Sequence, residues 1–501
     1  MRVNVSLFLA FKLDEEPDVI LCSIRHPQPI MPAYDRTVTD WTSIIATIFL
    51  GIILISSCVR ITYAPPHHPP SGQPRIQPLA GHLHNRLTLP PPVCEQEFPL
   101  LYPQLDDLRR HWSSGIPLPD VDRLEAAAKS QDRWGWARVL VADGRLWIRT
   151  LSPGPDTRVA ALLSQLNDAI LSSPEPLPPL DLVISGGDKD GFPGAESGPS
   201  WVLTKLINNP QAKGNFLAPD FGFKGWPEAQ APTYPEVVNL QKQVEEEYPW
   251  HRKDNRAFWR GFPNFYPIRK DLMERTRPSS HLPPTSPDAW SDVFATTFGG
   301  ESGPEFRPLV KLQDHCQRKY LIHSEGNSYS GRSKYLFSCH AITIAHKMQW
   351  TQHFHPALIS SSNSHSQNFV ELPGESFEGL EETVRALWAS DHDPKSNAQT
   401  SNQYLDKARD KYHTVDVVSA RQIADNARDS LRDRYLTSAA TMCYYRAALK
   451  VYGDLMSFKP QLRKGNGAAP GKMLGTSKES QGDISYDSWI VIGAKGDWPP
   501  K

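Results

Sequence analysis

Apolar residues recur along this chain in two rhythms, and the alternation between them defines its architecture. Three-to-four spacing predicts helices around Val121–Lys129, Arg158–Leu171, Val237–Tyr248, Phe377–Ala389 and Gln403–Leu455. Short dense runs at Val139–Ala142, Leu146–Ile148, Leu182–Ser185, Tyr320–His323 and Ala341–Ala345 read as buried strands. Strands alternating with helices predict an α/β protein with parallel sheets, and the length suggests two of them. Between the helical and strand patterns, Arg277–Pro304 is full of Pro, Ser and Gly and reads as a long surface loop.

One apolar stretch follows neither rhythm. No charge stands between Asp40 and Arg60, and Trp41–Val59 carries Ile44-Ile45, Ile48-Phe49-Leu50 and Ile52-Ile53-Leu54-Ile55. As a helix it would reach roughly 28 Å, enough to cross a bilayer core. Trp41 and Tyr63 flank it as interfacial aromatics do, and the length of chain before it disfavours a cleaved signal peptide. A single-pass anchor is therefore expected at 41–59, behind a tail at 1–40. Arg25 and Arg36 on one side balance Arg60 and Arg75 on the other, so charge alone does not orient it. Residues 60–93, with Pro65-Pro66, Pro69-Pro70 and Pro90-Pro91-Pro92, read as a Pro-rich stem. The Gly- and Lys-rich segment 459–501 reads as a mostly disordered tail, with Ser488–Ile492 as a short strand.

Composition narrows the function classes. The 54 Lys and Arg against 55 Asp and Glu give a net charge of -1, so no global field favours nucleic acid. Any anion must be bound by local basic groups. Cys94, Cys316, Cys339 and Cys443 follow the apolar run and permit two disulfides in any of three pairings. No C-x-x-C spacing occurs, so structural zinc is not expected.

The chemistry concentrates in Lys319–Cys339. The strand-like Tyr320-Leu321-Ile322 breaks into the turn Glu325-Gly326-Asn327-Ser328-Tyr329-Ser330-Gly331, and a helical pattern restarts at Ser333. Small residues between a strand and a helix leave backbone N–H groups where a diphosphate can dock, and Arg332 adds a forked, charged donor. Two further blocks stand out: Ala257-Phe258-Trp259-Arg260-Gly261 with Arg269-Lys270-Asp271-Leu272, and Ala420–Ala424 through Arg432–Leu436 to Cys443-Tyr444-Tyr445. In this order, from about Asp181 to about Tyr452, the blocks resemble glycosyltransferase family 90, the fungal capsule-associated and Rumi-like protein O-glucosyltransferases.

That resemblance implies a GT-B-like fold, two Rossmann-like lobes facing a cleft, preceded by the membrane helix and stem. The acceptor-side lobe would occupy 94–250, the UDP-sugar lobe 251–415, and C-terminal helices at 416–458 would pack back on both. It implies a lumenal domain in the Golgi or ER membrane, and transfer of a sugar, xylose or glucose, from a UDP-sugar to a glycan or protein hydroxyl with inversion. Asp188, at the tip of the strand Asp181–Ser185, matches the family's strand-end base, although Gly186 and Gly187 replace bulkier residues. Arg260 and Arg332 would stabilise the departing diphosphate, supported by Ser330, Gly326, Gly331, Tyr329 and Glu325, the last for the ribose hydroxyls. Asp220 and Trp226 would shape the acceptor cleft, with Trp201 and Trp259 as further walls. The resemblance also implies a Cys316–Cys339 bond, and with it one between Cys94 and Cys443.

Each residue has an ordinary reading too. Asp188 can be a turn aspartate, Arg260 a cation–π partner of Trp259, Glu325 a solvated glutamate, and Gly326 and Gly331 positive-φ residues. The triplet Asp188-Lys189-Asp190 spells a D-x-D metal motif, but Asp120-Val121-Asp122 and Asp391-His392-Asp393 do the same. No cofactor is expected to be obligatory; manganese, with Asp190 as a ligand, is the open alternative. Asp220-Phe221-Gly222 lacks the other motifs of a kinase. The competing function is a non-catalytic glycan-binding or scaffold protein that retains the fold.

Overall fold

The computed structural model describes residues 75–130, 135–152, 157–263, 265–296, 302–391, 418–463 and 482–493. The expected anchor at 41–59 lies outside them, as do the tail 1–40 and residues 403–417. Among the described residues no helix is long and apolar enough to cross a membrane.

Two six-stranded sheets organise the chain. The first is built from β1 (Trp136–Ala142), β2 (Arg145–Leu151), β3 (Leu180–Ser185), β4 (Trp201–Val202), β6 (Phe216–Leu217) and β14 (Ile484–Ser485), in the order β14-β2-β1-β3-β4-β6. The second contains β7 (Asp254–Gly261), β8 (Ser291–Thr296), β9 (Phe306–Arg307), β10 (Arg318–His323), β11 (Ile342–Ala345) and β13 (Val370–Glu371), in the order β13-β11-β10-β7-β8-β9. Every pair in the second sheet is parallel, as the strand–helix alternation predicts. The first is mixed: β1 runs antiparallel to both β2 and β3, and only β3, β4 and β6 are parallel. Asp143 and Gly144, at φ 53° and 67°, join β1 to β2. Two left-handed residues form the turn whose twist matches a tight hairpin, so these strands cannot be parallel.

The expected surface loop at Arg277–Pro304 is corrected in its second half. Ser291–Thr296 is an entirely buried strand beside β7. Its first two polar residues are satisfied internally: the Ser280 and Ser291 hydroxyls lie 2.8 Å apart, Ser291 N donates to Ser279 Oγ at 3.0 Å, and Asp292 accepts from Arg260 at 2.6 Å.

The supposed stem is also folded from residue 75. Leu79 and Leu89 are buried, Leu79 N donates to the Asp433 carbonyl, and Arg446 donates to the Leu89 carbonyl. The following prolines open the helix Pro91–Glu97, a position where proline's missing N–H is harmless. At the other end, β14 pairs with β2 and the expected strand at Ser488–Ile492 is instead the helix Tyr486–Gly493. Ser485 accepts from Ser488 N at its start, the cap that turns the chain helical.

The C-terminal helices span both regions. The pattern at 420–455 resolves into Ala420–Asn426, a π-helical stretch Ala427–Tyr435, and Ser438–Leu455 capped by Thr437. In the last helix, Tyr445 and Tyr452 pack on Trp201, and Tyr452 also meets Phe216 edge-on. Both disulfides are present, Cys94–Cys443 and Cys316–Cys339. The first joins residues 349 apart in sequence, so removing it with Cys94→Ser and Cys443→Ser should lower unfolding stability by about 2–5 kcal/mol. Denaturant unfolding of the variant under oxidising conditions measures this; unchanged stability contradicts it.

Candidate functional site

The site forms where two parallel strands end together. In β7 and β10, Ala257 stands opposite Tyr320 and Phe258 opposite Leu321, so Gly261 and His323 reach the same carboxyl edge. Beyond β10 the signature turn leads into the helix Ser333–Phe337. Beyond β7 the chain enters the helix Pro267–Ser280, with Arg269 in its first turn.

Arg332 and Arg269 converge there. Arg332 donates to the Arg260 carbonyl and lies 5.8 Å from the Trp259 ring centre. Arg269 donates to the carbonyls of Glu325, at 3.0 Å, and Phe262, at 2.9 Å, and lies over Tyr266. Among the described residues no carboxylate pairs with either. Burial, then the neighbouring Arg269, lowers Arg332 to about 9, and burial lowers Arg269 to about 10. Two half-buried like charges without a counterion among the described residues make a site short of negative charge.

Glycine in the turn serves close approach. A Cβ on Gly326 would stand 2.7 Å from the Arg269 guanidinium, and one on Gly331 would stand 3.1 Å from the Trp226 ring. Neither glycine has positive φ, so the expected left-handed backbone is not their reason.

Arg260 does something other than expected. Its guanidinium donates to Asp292 Oδ1 at 2.6 Å and to the Asp292 carbonyl at 2.7 Å, and it lies over Phe258 and Phe294. Successive side chains of a strand point to opposite faces, and Arg260 shares the face of Phe258. It braces β7 against β8, and its carbonyl, not its charge, touches Arg332. Glu325 is likewise occupied: its buried carboxylate accepts from Gln349 N and Trp350 N. Trp201 and Trp259 are fully buried in the core and are not walls of an open cleft.

The first sheet brings the opposing carboxylate. Asp188 follows β3, half-exposed, and accepts from Arg158 at 2.9 Å. Lys189 Nζ reaches the Asn327 carbonyl and Oδ1, each at 3.2 Å, which lays the Asp188 loop against the signature turn. Arg158, on the helix Thr157–Leu171, also lies over the Phe221 ring. Behind this contact is a buried latch. Asp220 accepts from Tyr329 Oη at 2.5 Å, Lys334 Nζ at 2.6 Å and Gly222 N at 2.6 Å. Burial, with the charges of Asp220 and Asp188, pushes the Tyr329 hydroxyl far up, and burial lowers Lys334. Asp220, expected to line the acceptor cleft, is thus enclosed, and Trp226 packs on Gly331. Ser330 is buried, and its carbonyl accepts from Ser333 N.

The helix Tyr234–Glu247 supports this arrangement. A Thr233–Glu236 capping box starts it. Gln241 donates to the Tyr335 carbonyl and accepts from Ser338 Oγ, fixing the short signature helix.

Asp190, the alternative metal ligand, accepts from Asn209 Nδ2 at 2.8 Å. Among the described residues one trio of ligand types converges, Glu245, Cys316 and Cys339, and its sulfurs are committed to the disulfide. The sequence pattern alone does not single out Arg269, although it stands in the block Arg269-Lys270-Asp271-Leu272. Arg158 carried no signal, since a single arginine near a helix start is ordinary.

The sequence matches the pattern of Glycosyl transferase family 90 over residues 92–407, more than half of its 501 residues. The chain belongs to this family. It is 26% identical over 222 residues to the O-glucosyltransferase rumi homolog of Aedes aegypti, 44% of this chain and 46% of the relative. The O-glucosyltransferase rumi homolog of Anopheles gambiae is 25% identical over 215 residues, 42% of this chain and 44% of that protein. The Protein O-glucosyltransferase 2 of Danio rerio is 24% identical over 221 residues, 43% and 36% of the respective lengths. The chain thus matches less than half the length of each of these relatives. The family 90 region contains Asp188, Arg269, the signature turn and Arg332, so the facing elements fall within the shared part.

Proposed function

We propose that this family 90 member is a glycosyltransferase of GT-B type that moves a sugar from a UDP-sugar, UDP-xylose or UDP-glucose, to a hydroxyl of a glycan or glycoprotein. The observation that carries the reading is the pair Arg332 and Arg269, charged and uncountered at the carboxyl edge of a parallel sheet, with the Asp188 loop against the same turn. Ligands of such sheets sit beyond their strand ends. A departing UDP needs positive donors as charge builds on its diphosphate, and these guanidiniums are fixed on backbone carbonyls before any substrate arrives. Asp188 takes the proton of the acceptor hydroxyl and Arg158 holds its carboxylate in place. With base and leaving group on opposite sides of the sugar, a single displacement inverts the anomeric centre. In this reading Arg260 gives up its expected phosphate role to Arg269. The run 41–59 serves as a single-pass anchor, with the catalytic domain in the lumen of the Golgi or ER.

A donor screen tests the proposal. The protein is incubated with UDP-glucose, UDP-xylose and other UDP-sugars in the presence of candidate glycan and protein acceptors, and UDP release is followed with and without a chelator. Acceptor-dependent release from one donor, retained without metal, is expected. Release from none of them, with UDP still bound, favours the scaffold reading, and activity restored only by manganese reassigns the diphosphate site to a metal.

A further inference from the structure

The Glu325 carboxylate lies inside the protein, between two parts of the site that it does not itself touch. We propose that Glu325 is a positioning residue that couples the Arg269 side of the site to the strand joining the two sheets' regions. This inference rests on the glycosyl-transfer reading above and adds a group that acts through others.

The connections run in both directions. The Glu325 carbonyl accepts from Arg269 Nε at 3.0 Å, and its N–H donates to His346 Nε2 at 3.3 Å. Its carboxylate accepts from Gln349 N, at 3.1 Å, and from Trp350 N, at 2.9 Å. The segment so held forms β12 (Trp350–Thr351), which pairs antiparallel with β5 (Lys205–Leu206) from the first sheet's region. Ile207 N donates to the Gln349 carbonyl at 2.8 Å and Thr204 Oγ1 to the Thr351 carbonyl at 3.0 Å. Lys189, next to Asp188, lies 5.9 Å from the centre of the Trp350 ring. A continuous set of contacts therefore runs from Arg269 through Glu325 and Trp350 to the neighbour of Asp188.

The surroundings make this carboxylate responsive. Burial pushes Glu325 up to about 7, with the charges of Glu371 and Glu375 adding to it and the Gln349 and Trp350 amides opposing it. Facing it is His346, 3.8 Å away and lowered by burial, from the segment after β11, while Arg269 from the helix Pro267–Ser280 reaches only the backbone carbonyl. Glu371, at the end of β13, accepts from Met348 N at 3.1 Å, and the Lys347 charge acts on it in turn. An anionic acceptor grips an amide more strongly than a neutral one. The Gln349–Trp350 segment is therefore held most firmly above pH 7. Stability moves the other way: a carboxyl raised in the folded state contributes stability at low pH that is lost as pH rises through about 7. Opposite trends in positioning and stability separate this role from a merely structural one.

The experiment compares the full chain with Glu325→Gln from pH 5.5 to 8.5. Amide hydrogen exchange at Ile207, Gln349 and Trp350 should quicken in the variant at pH 8, while its melting temperature there is no lower than the parent's. Turnover should fall about tenfold at pH 8, the loss of one charge-assisted hydrogen bond, with UDP affinity retained. The parent's turnover should rise through pH 7 and the variant's should not. Unchanged exchange at those amides overturns the coupling whether or not the protein transfers sugar, and so does a parent profile flat through pH 7. A protein that shows the exchange effect but releases no UDP from any donor keeps the coupling and loses the catalytic reading.

Discussion

Arg332→Ala should reduce sugar transfer by about 100- to 1000-fold, the scale expected when one fixed donor to a developing anion is removed. Arg332 is held by the Arg260 carbonyl and by the Trp259 face, neither of which neutralises it, and Arg269 adds repulsion. The free protein therefore holds these charges at a disadvantage that a bound diphosphate would relieve. UDP at about a hundred times its Kd should stabilise the parent by about 2.7 kcal/mol, and the alanine variant far less at the same concentration. Arg260→Ala is the control with a different signature. It takes the closest hydrogen bond from Asp292, buried beside β7, leaving the longer pairs with Arg256 and Arg318, and should lower stability by about 1.5–3 kcal/mol before any effect on donor affinity is read. Thermal shifts with and without UDP, read beside turnover, separate the two. Equal losses of stability in both variants, with UDP binding intact in Arg332→Ala, would remove Arg332 from the diphosphate site.

What could be read from the residues depended on how each element meets the core. β3, β10 and β11 are buried on both faces, so they appear as dense apolar runs and are found at once. β8 is as buried as they are, but Ser291 and Asp292 are satisfied by Ser280 and Arg260, and polar residues with internal partners mimic a loop. The β1–β2 turn was legible, since Asp143-Gly144 between apolar runs is a hairpin signal that the helix–strand alternation overrode. In the candidate site, the motif pointed to a turn and a strand end that the structure brings beside each other. It did not show that Arg260 turns away and Arg269 turns in, because which face a strand residue takes depends on register: Arg260 points toward β8, and Arg269 reaches the turn from a helix. The interior positions of Glu325 and Asp220 follow from partners distant in sequence, Trp350 and Lys334, which no local spacing reveals.

Asp188→Asn should lower turnover by about 100- to 10,000-fold, the span attributed to a positioned general base, while leaving UDP binding within about twofold. Asparagine keeps the size and can still accept from Arg158, so the loop and its Lys189–Asn327 contact should persist. What it cannot do is receive a proton from the acceptor hydroxyl. The loss should therefore fall on turnover, with little change in the KM for donor, the pattern of an interaction made only in the transition state. Arg158→Leu offers the complementary test. It frees the carboxylate from this charged partner without removing it, so a smaller loss, about tenfold, is expected from imprecise aim. If Asp188→Asn transfers sugar as the parent does, the base lies elsewhere, and Asp220, behind the same contact, is already held by Lys334 and Tyr329 and is poorly placed to replace it. The catalytic reading thus depends on Asp188 in a way that it does not depend on any one residue of the turn: two guanidiniums could share a diphosphate between them, but among the described residues the carboxylate laid next to the turn, half-exposed and fixed by an arginine, is that of Asp188.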